Sequence, residues 1–289
     1  MAIDYEKLLA WRIADARHSY TLRDTLLYAL SVGLGADPED ERQLDYVYER
    51  DLSVLPSMAT VLASPSGWMR DPETGINPVG TLAIDQAFEI HAPIPVAGTV
   101  IGKSRVSDVR DLGPERGALI CTERTVHDEA TGKPLFTARQ SSLARKDGGF
   151  GGPAGPAGPR HDMPAREPDF VCELPTADNA ALLFRLHNKL DPKHPDAHAD
   201  PALARKLGHR RPIVHGLYTF GIACHALLRT ACDYDAARLR SMAARFTAVA
   251  YPGDVLRTEI WRDGNVLSFQ CRAAGGAKPV LSNGRAELA

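Results

Sequence analysis

The sequence predicts an α+β fold made of two similar units, each an antiparallel sheet wrapped around a buried helix. Three observations lead to this prediction. A glycine- and proline-rich segment divides the 289 residues near the middle. Each half places a helical stretch before a run of strand-like segments, and one pair of those segments in the second half is joined by a hairpin signal. The length is ample for two cores.

The dividing segment spans residues 148–168 and reads GGFGGPAGPAGPRHDMPAREP. Glycine gives the backbone freedom and proline cannot donate to a helix or a strand ladder, so this composition is typical of a linker. We therefore predict an N-terminal domain over residues 1–150, a linker over 151–168 and a C-terminal domain over 169–289. Both domains have an ordinary size.

In the N-terminal half, leucines at near-helical spacing predict a helix within Tyr20–Gly33, with Thr21 or Asp24 available as its cap. A second, long helix is expected near Val54–Ala63. Four strand-like runs follow, at Leu82–Ile90, Thr99–Val109, Ala118–Val126 and Pro134–Ala144.

In the C-terminal half, Pro212–Arg229 is apolar on nearly every side, as a long buried helix should be. The strand-like runs here are Arg245–Val249, Val255–Trp261, Val266–Cys271 and Val280–Leu288. An Asp-Gly pair within Arg262–Asn265 signals the hairpin between the second and third of them. Two such units side by side would pair their edge strands into one continuous sheet, which hides exposed edges.

The composition and the N-terminal sequence argue against a nucleic-acid or membrane partner and against secretion. The net charge is −2, from 34 basic and 36 acidic residues, which gives no reason to expect a nucleic-acid or membrane partner. The five cysteines include no CxxC pair and suit a reducing compartment. The N-terminus lacks the apolar run of a signal peptide, and no stretch approaches the roughly 20 apolar residues of a membrane span. A cytosolic protein is expected.

Short strings along nearly the whole chain resemble one family in the same order. In the first half they are Tyr20–Asp24, Tyr28–Leu30, Tyr46–Glu49, Val54–Pro56 and Gly148–Gly152. In the second half they are His198–Pro201, Pro212–Leu217, Ala244–Phe246, Tyr251–Gly253 and Ser282–Gly284. Together they resemble the MaoC-like, type 2 enoyl-CoA hydratases in their double (tandem) hotdog form.

This resemblance implies a lyase that adds water to a trans-2-enoyl-CoA and gives a (3R)-3-hydroxyacyl-CoA, or catalyses the reverse. It implies an acyl-CoA substrate, no metal or other cofactor, and a homodimer. The catalytic motif belongs to the C-terminal hotdog, and the N-terminal hotdog contributes the pocket for the acyl chain.

The reaction needs a base, an acid and a hydrogen-bond donor for the thioester oxygen. The family supplies an Asp and a His in the motif G-D-x-N-P-[LI]-H and a backbone N–H at a helix start. Here about four extra residues interrupt the motif, so that Lys189 or Lys193 occupies the position of the family's Asp. Counting from upstream places the histidine at His194, and counting from downstream places it at His198.

We prefer His198, because its spacing to Gly216 and the Asp-Pro that follows it match the family without a gap. Asp191 is then the best carboxylate. Asp196 is held in reserve, since a residue two positions away in an extended loop should point elsewhere. Gly216 is the candidate oxyanion donor at the helix start, although a glycine there could also serve close packing. His215 is expected to be a structural, hydrogen-bonded histidine.

Other functions remain open on the sequence. The density of Asp191, His194, Asp196, His198 and Asp200 could hold a divalent metal. A hotdog thioesterase would direct water to the thioester carbonyl instead of C3. The interrupted motif also allows a catalytically degenerate subunit that binds acyl-CoA beside an active partner.

Overall fold

A computed structural model describes residues 2–155, 160–187 and 195–289. Within these ranges ten strands form one antiparallel sheet, in the order β1-β3-β4-β5-β2-β7-β10-β9-β8-β6. The N-terminal half supplies the first five strands of that order and the C-terminal half supplies the rest. The prediction of an α+β double hotdog, with antiparallel strands wrapped around buried helical segments, is confirmed.

The strands are β1 (Ala16–Tyr20), β2 (Thr81–Ile90), β3 (Gly98–Asp111), β4 (Ala118–Asp128), β5 (Pro134–Ala144), β6 (Phe170–Pro175), β7 (Leu239–Phe246), β8 (Val255–Asp263), β9 (Val266–Ala273) and β10 (Pro279–Leu288). The α-helices are α1 (Tyr5–Leu9), α2 (Leu22–Ser31), α3 (Leu44–Val47), α4 (Ala180–Phe184), α5 (Pro201–Lys206) and α6 (Gly216–Ala231). Short 3₁₀ helices lie at Glu41–Gln43, Pro56–Thr60, Trp68–Arg70, Pro72–Thr74, Arg185–His187 and Ala236–Arg238.

The two halves share one sheet because Asp85–Glu89 of β2 pair with Ser241–Arg245 of β7. Ala87 lies opposite Ala243 in this antiparallel seam, and Asp85 lies opposite Arg245. The predicted pairing of edge strands is therefore confirmed. The outer edges are β1 and β6, two short strands that the sequence analysis missed.

The long helix α6 forms the centre of the C-terminal half. Twelve of its sixteen residues are buried, which agrees with the apolar sequence that predicted it. It begins at Gly216, four residues later than the predicted start at Pro212, because the preceding chain is extended and the Val214 N–H donates to the Ala250 carbonyl at 3.0 Å. Val32 of the other half packs against the helix at Gly221, where an added Cβ would lie 2.7 Å from a Val32 methyl.

The long helix predicted near Val54–Ala63 is wrong. Only a 3₁₀ helix forms, over Pro56–Thr60. Proline at its first position suits a helix start, but the chain leaves the helix after Thr60 and Ala63 adopts a left-handed conformation with φ of 49°. Where the second half has a sixteen-residue helix over its sheet, the first half has one five residues long.

The glycine string 148–152 folds around a buried carboxylate. Asp111 at the end of β3 accepts hydrogen bonds from the N–H groups of Gly113, Gly149 and Gly151, each at 2.8 Å. Gly149 and Gly151 both have φ of 83°, which favours glycine. The string is thus fastened to the first domain. No helix within the described ranges is long and apolar enough to cross a membrane.

Candidate active site

The candidate site lies where the loop before α5 meets the start of α6. The Asp196 side chain accepts a hydrogen bond from the His198 N–H at 2.9 Å, and the Asp196 carbonyl accepts from the N–H groups of Ala199 and Asp200. Asp200 then caps α5 by accepting from the Ala202 N–H at 2.7 Å. These local bonds turn the chain tightly and direct His198 towards α6.

His198 and His215 stack face to face. Their ring centroids are 3.6 Å apart and their planes differ by 21°. His198 Nδ1 lies 2.9 Å from the Ile213 carbonyl oxygen. Because a carbonyl only accepts, Nδ1 must carry the proton, and Nε2 of the neutral ring is left free to accept one. This bond fixes the tautomer that a general base requires.

Asp196 faces the same site, so the expectation that its side chain would point elsewhere is wrong. One ligand atom from each of Asp196, His198 and His215 lies within 4.8 Å of the other two. The expectation assumed an extended loop, whereas the hydrogen bonds around Asp196 close a turn. An ion pair with Arg185 at 3.2 Å holds the carboxylate from the other side.

Burial keeps both imidazoles of the site neutral near neutral pH. It lowers the pKa of His198, although the bond to the Ile213 carbonyl and the charge of Asp196 oppose this shift. Burial, together with the nearby His198, lowers the pKa of His215 to about 3. Burial acts to raise the pKa of Asp196, but the hydrogen bond from the His198 N–H and the charges around it outweigh burial and lower it. The site therefore combines a carboxylate with a neutral proton acceptor.

His215 differs from the hydrogen-bonded histidine that was expected. Its Nδ1 is buried without a hydrogen-bond partner in the described part of the chain. Its ring is held by packing instead, with His198 on one face and the Phe184 ring 5.4 Å away, centroid to centroid. The histidine that meets the structural description is His225, buried in α6, where it bonds to the Val32 carbonyl and the Tyr234 hydroxyl.

Gly216 is the first residue of α6, beside the histidine pair. The Gly216 and Leu217 N–H groups have no hydrogen-bond acceptor among the residues described, as is usual for the first turn of a helix. Such groups, together with the helix dipole, suit a developing oxyanion. A Cβ at Gly216 would lie 3.1 Å from the Phe246 ring, so the glycine also permits close packing. Both interpretations made from the sequence remain compatible with this geometry.

Two of the predicted site residues, Asp191 and His194, lie outside the described residues. The residues that sequence reasoning undervalued are Asp196 and His215. The signal available for His215 was its position directly before the predicted oxyanion glycine. The sequence offered no comparable signal for Asp196, because its orientation depends on the turn.

The cluster of Asp196, His198 and His215 suits proton transfer better than metal binding. Nitrogen lone pairs lie in the plane of an imidazole ring, and stacked rings hold those planes nearly parallel. Two parallel rings cannot direct their lone pairs at one ion unless one ring rotates. His198 Nδ1 is moreover already a donor to the Ile213 carbonyl.

Comparison with known proteins identifies both halves of the chain. Residues 18–146 match the MFE-2 hydratase 2 N-terminal domain, and residues 161–282 match the MaoC like domain. The enoyl-CoA hydratase ChsH3 of Mycobacterium tuberculosis is 35% identical, with 92% of each chain covered. A peroxisomal enoyl-CoA hydratase 2 of Arabidopsis thaliana is 31% identical, with 95% of this chain and 92% of the relative covered.

Solved structures agree with the sequence comparison. The crystal structure of a MaoC-like dehydratase from Phytophthora capsici superposes with a TM-score of 0.84 at 27% identity and covers 98% of each chain. A Mycobacterium tuberculosis protein described as a double hotdog fold superposes with a TM-score of 0.56 at 15% identity, over 99% of this chain and 98% of that one, and so supports the fold alone. The chain belongs to the MaoC-like, enoyl-CoA hydratase 2 family.

Proposed function

We propose that this protein catalyses the reversible hydration of a trans-2-enoyl-CoA to a (3R)-3-hydroxyacyl-CoA. Family membership supports the class of reaction, a hydratase or dehydratase lyase. The observation that carries the proposal is the fixed tautomer of His198, which leaves Nε2 free to accept a proton in a ring that stacks on His215 and clusters with the Asp196 carboxylate. A neutral base, a carboxylate and free backbone donors are what the reaction requires.

In the proposed mechanism the thioester oxygen accepts a hydrogen bond from the Gly216 N–H. This bond polarises the C2=C3 double bond and stabilises the enolate-like charge of the transition state. A water molecule is held between His198 Nε2 and the carboxylate. Nε2 takes one proton from the water as its oxygen bonds to C3, and the same nitrogen then returns that proton to C2. The net change is the addition of one water across the double bond.

The proposal keeps the sequence-based candidates that lie outside the described residues. Asp191 competes with Asp196 as the carboxylate that orients the water. His194 competes with His198 as the acid–base residue, although His198 alone has its geometry described. Variants of each pair decide between them.

We further propose a division of labour between domains. The C-terminal hotdog, residues 169–289, carries the chemistry, and the N-terminal hotdog, residues 1–150, receives the acyl chain, with residues 151–168 as the linker. A homodimer in the cytosol completes the proposal. A peroxisomal relative exists, so the location is tested by following the tagged protein in its own cells, and the dimer by sedimentation equilibrium.

The deciding experiment incubates the purified protein with crotonyl-CoA and, separately, with a bulky enoyl-CoA. Enoyl absorbance and free thiol are followed together, and the chirality of the product is determined. We expect loss of enoyl absorbance without thiol release and a (3R) product. Thiol release without hydroxyacyl product would establish a thioesterase. Binding without turnover would establish a degenerate subunit, and activity lost to a chelator and restored by zinc would establish a metal site.

A further inference from the structure

A large cavity lies in the N-terminal half, on the face of the sheet that the short helix leaves uncovered. Its volume is about 990 Å³. On β2, β4 and β5 most of the lining residues are an even number of positions from Phe88, Val126 and Phe136, so they lie on the same face of the sheet as these core residues. Unlike those neighbours, several of these lining residues are polar or charged, and they are Gln86, Ser104, Thr122, Arg124, Gln140 and Ser142.

Arg124 is the buried cation of this cavity. Only 7% of the residue is exposed. Its Nη2 donates to the Ala59 carbonyl at 3.0 Å and to the Thr60 carbonyl at 3.1 Å, which caps the end of the 3₁₀ helix. Its Nε is buried without an acceptor among the described residues. Burial lowers the pKa of Arg124 to about 10, and no carboxylate contributes to that shift, so the side chain is a cation near neutral pH.

Capping of the 3₁₀ helix does not explain why a positively charged residue is buried at position 124. Two carbonyl acceptors need one donor group, which a neutral side chain could provide. A buried guanidinium without a counter-ion is costly, and natural proteins retain such a group where a partner compensates it. The other arginines at the cavity have less need of a partner. Arg139 is paired with Glu123 and Arg17 with Glu129, both at the exposed surface, and Arg70 is itself exposed to solvent.

Two further donors belong to the same cavity. His18 Nδ1 accepts a hydrogen bond from the Ala63 N–H at 3.0 Å, so the neutral ring carries its proton on Nε2. Burial lowers the pKa of His18 and keeps the ring neutral near neutral pH. Ser104 lies directly opposite Arg124 in the register of β3 and β4, and its hydroxyl is buried without a partner among the described residues. Imidazole, hydroxyl and guanidinium together suit a carboxylate.

A row of packed rings lies between the cavity and the candidate active site. His187 lines the cavity, and its ring centroid is 5.6 Å from that of Phe184. The Phe184 ring is in turn 5.4 Å from His215 of the active site. Phe184 is fully buried, so a chain attached to a thioester at Gly216 would have to displace the Phe184 and His187 rings to reach the cavity.

We propose that the N-terminal cavity binds the distal end of the acyl chain and that this end carries a carboxylate, which pairs with Arg124. The substrate class is then the mono-CoA thioester of a 2-enoic dicarboxylic acid. This inference rests on the proposed function, because it takes the acyl chain to run from the C-terminal site into the N-terminal half.

The test measures binding, so that it is independent of turnover. Saturated acyl-CoA thioesters cannot be hydrated, and three series of increasing chain length are compared by calorimetry, ending in a methyl, a hydroxyl or a carboxylate. We expect the carboxylate series to bind about tenfold tighter or more than the methyl series once the chain reaches the cavity. Arg124→Met should abolish that preference. The control Arg105→Met removes a surface arginine that lies outside the cavity and should preserve it.

The outcomes separate this inference from the proposed function. Equal or tighter binding of the methyl or hydroxyl series by the unaltered protein overturns the distal carboxylate, even if crotonyl-CoA is hydrated. A carboxylate preference in a protein that does not hydrate crotonyl-CoA supports the cavity and contradicts the proposed function. Thermal unfolding monitors each variant, and if Arg124→Met fails to fold, Arg124→Lys should retain part of the preference. A Lys variant that folds and shows none would also overturn the pairing.

Discussion

At the scale of single residues, the stacking of His198 on His215 is possible because both rings are neutral. Two imidazolium rings 3.6 Å apart would repel each other, and burial already disfavours the charged form of each. His198 gains from this arrangement a fixed ring plane and a fixed tautomer. A base that is held in one orientation loses little entropy when the substrate arrives.

Replacement of the two candidate histidines should have unequal effects. His198→Ala should lower kcat for enoyl-CoA hydration by ~10²–10⁴-fold, the range for a lost general acid or base. His194→Ala should do less, because it would remove an orienting contact only. Initial rates with crotonyl-CoA measure the effect, and circular dichroism checks that each variant folds. A larger loss for His194→Ala would place the catalytic histidine in the upstream register.

The carboxylate is identified by a second pair of variants. Asp196→Asn keeps the shape of the side chain and removes its charge, and it should lower kcat with a small change in KM if Asp196 orients the water. Asp191→Asn should show that pattern instead if the sequence-based candidate is the true one. Asp200→Asn serves as the control, since Asp200 caps α5 and lies outside the cluster. A rise in KM alone would assign the residue to binding.

The pH dependence of kcat/KM follows from the lowered pKa of His198. In the proposed mechanism the neutral imidazole is the base, so activity should persist below about pH 6.5, the ordinary value for histidine, and fall as the pH drops through the lowered pKa. The Asp196 charge acts to raise the pKa of His198. Asp196→Asn should therefore move the acidic limb to lower pH. A limb that stays in place would show that Asp196 and His198 are not electrostatically coupled in the free enzyme.

At the scale of secondary structure, the sequence predicts best the elements whose conformation is determined by their own residues and not by distant contacts. Helix α6 is apolar all round, and the Asp-Gly hairpin between β8 and β9 has a specific turn chemistry. The missed edge strand β1 reads ARHSY, which has no clear alternation and is extended because it pairs with β3. The segment Val54–Ala63 is apolar enough for a longer helix, but the 3₁₀ helix within it ends at Thr60 and Ala63 is left-handed.

In the candidate site, too, the sequence could place only the residues whose position depends on local structure. His198 and Gly216 could be placed from spacing, since each is tied to the start of a helix. The direction of Asp196 could not, because it depends on a turn that the sequence did not signal. The bond that fixes the His198 tautomer comes from the Ile213 carbonyl, and any residue at that position would supply it.

The glycine loop provides a prediction at this scale. Asp111 is 8% exposed, and hydrogen bonds from the N–H groups of Gly149, Gly113 and Gly151 hold its pKa below the ordinary value. Asp111→Ala would leave these backbone donors without their acceptor, so it should lower Tm by several degrees. Differential scanning fluorimetry measures the shift. Glu115→Ala, at an exposed position in the neighbouring turn, is the control and should leave Tm unchanged.

At the scale of the whole molecule, the two hotdog units share a core as well as a sheet. One cluster of buried apolar residues includes Val32 and Phe88 of the first half together with Phe220 and Leu227 of the second. His225 of α6 also bonds to the Val32 carbonyl across the halves. Because so much apolar surface is common to both units, we expect one cooperative unfolding transition and no stable isolated half.

Acid should destabilise this shared core through its buried histidines. Burial lowers the pKa of His187 and of His225 to about 4 and that of His215 to about 3, whereas in the unfolded chain each should titrate near about 6.5. The unfolded state therefore binds more protons than the folded state between these values. Stability is fully present above about pH 6.5 and is lost as the pH falls towards the folded-state values.

Three such groups correspond to a loss of up to about 4 kcal/mol per pH unit near pH 5. Urea unfolding at several pH values measures this slope. His225→Gln keeps a hydrogen-bonding side chain but removes one titrating group, so its slope should be smaller by about 1.4 kcal/mol per pH unit, whatever its stability at neutral pH. An unchanged slope in this variant would show that His225 takes up no proton on unfolding, and that its burial in the shared core does not control the response to acid.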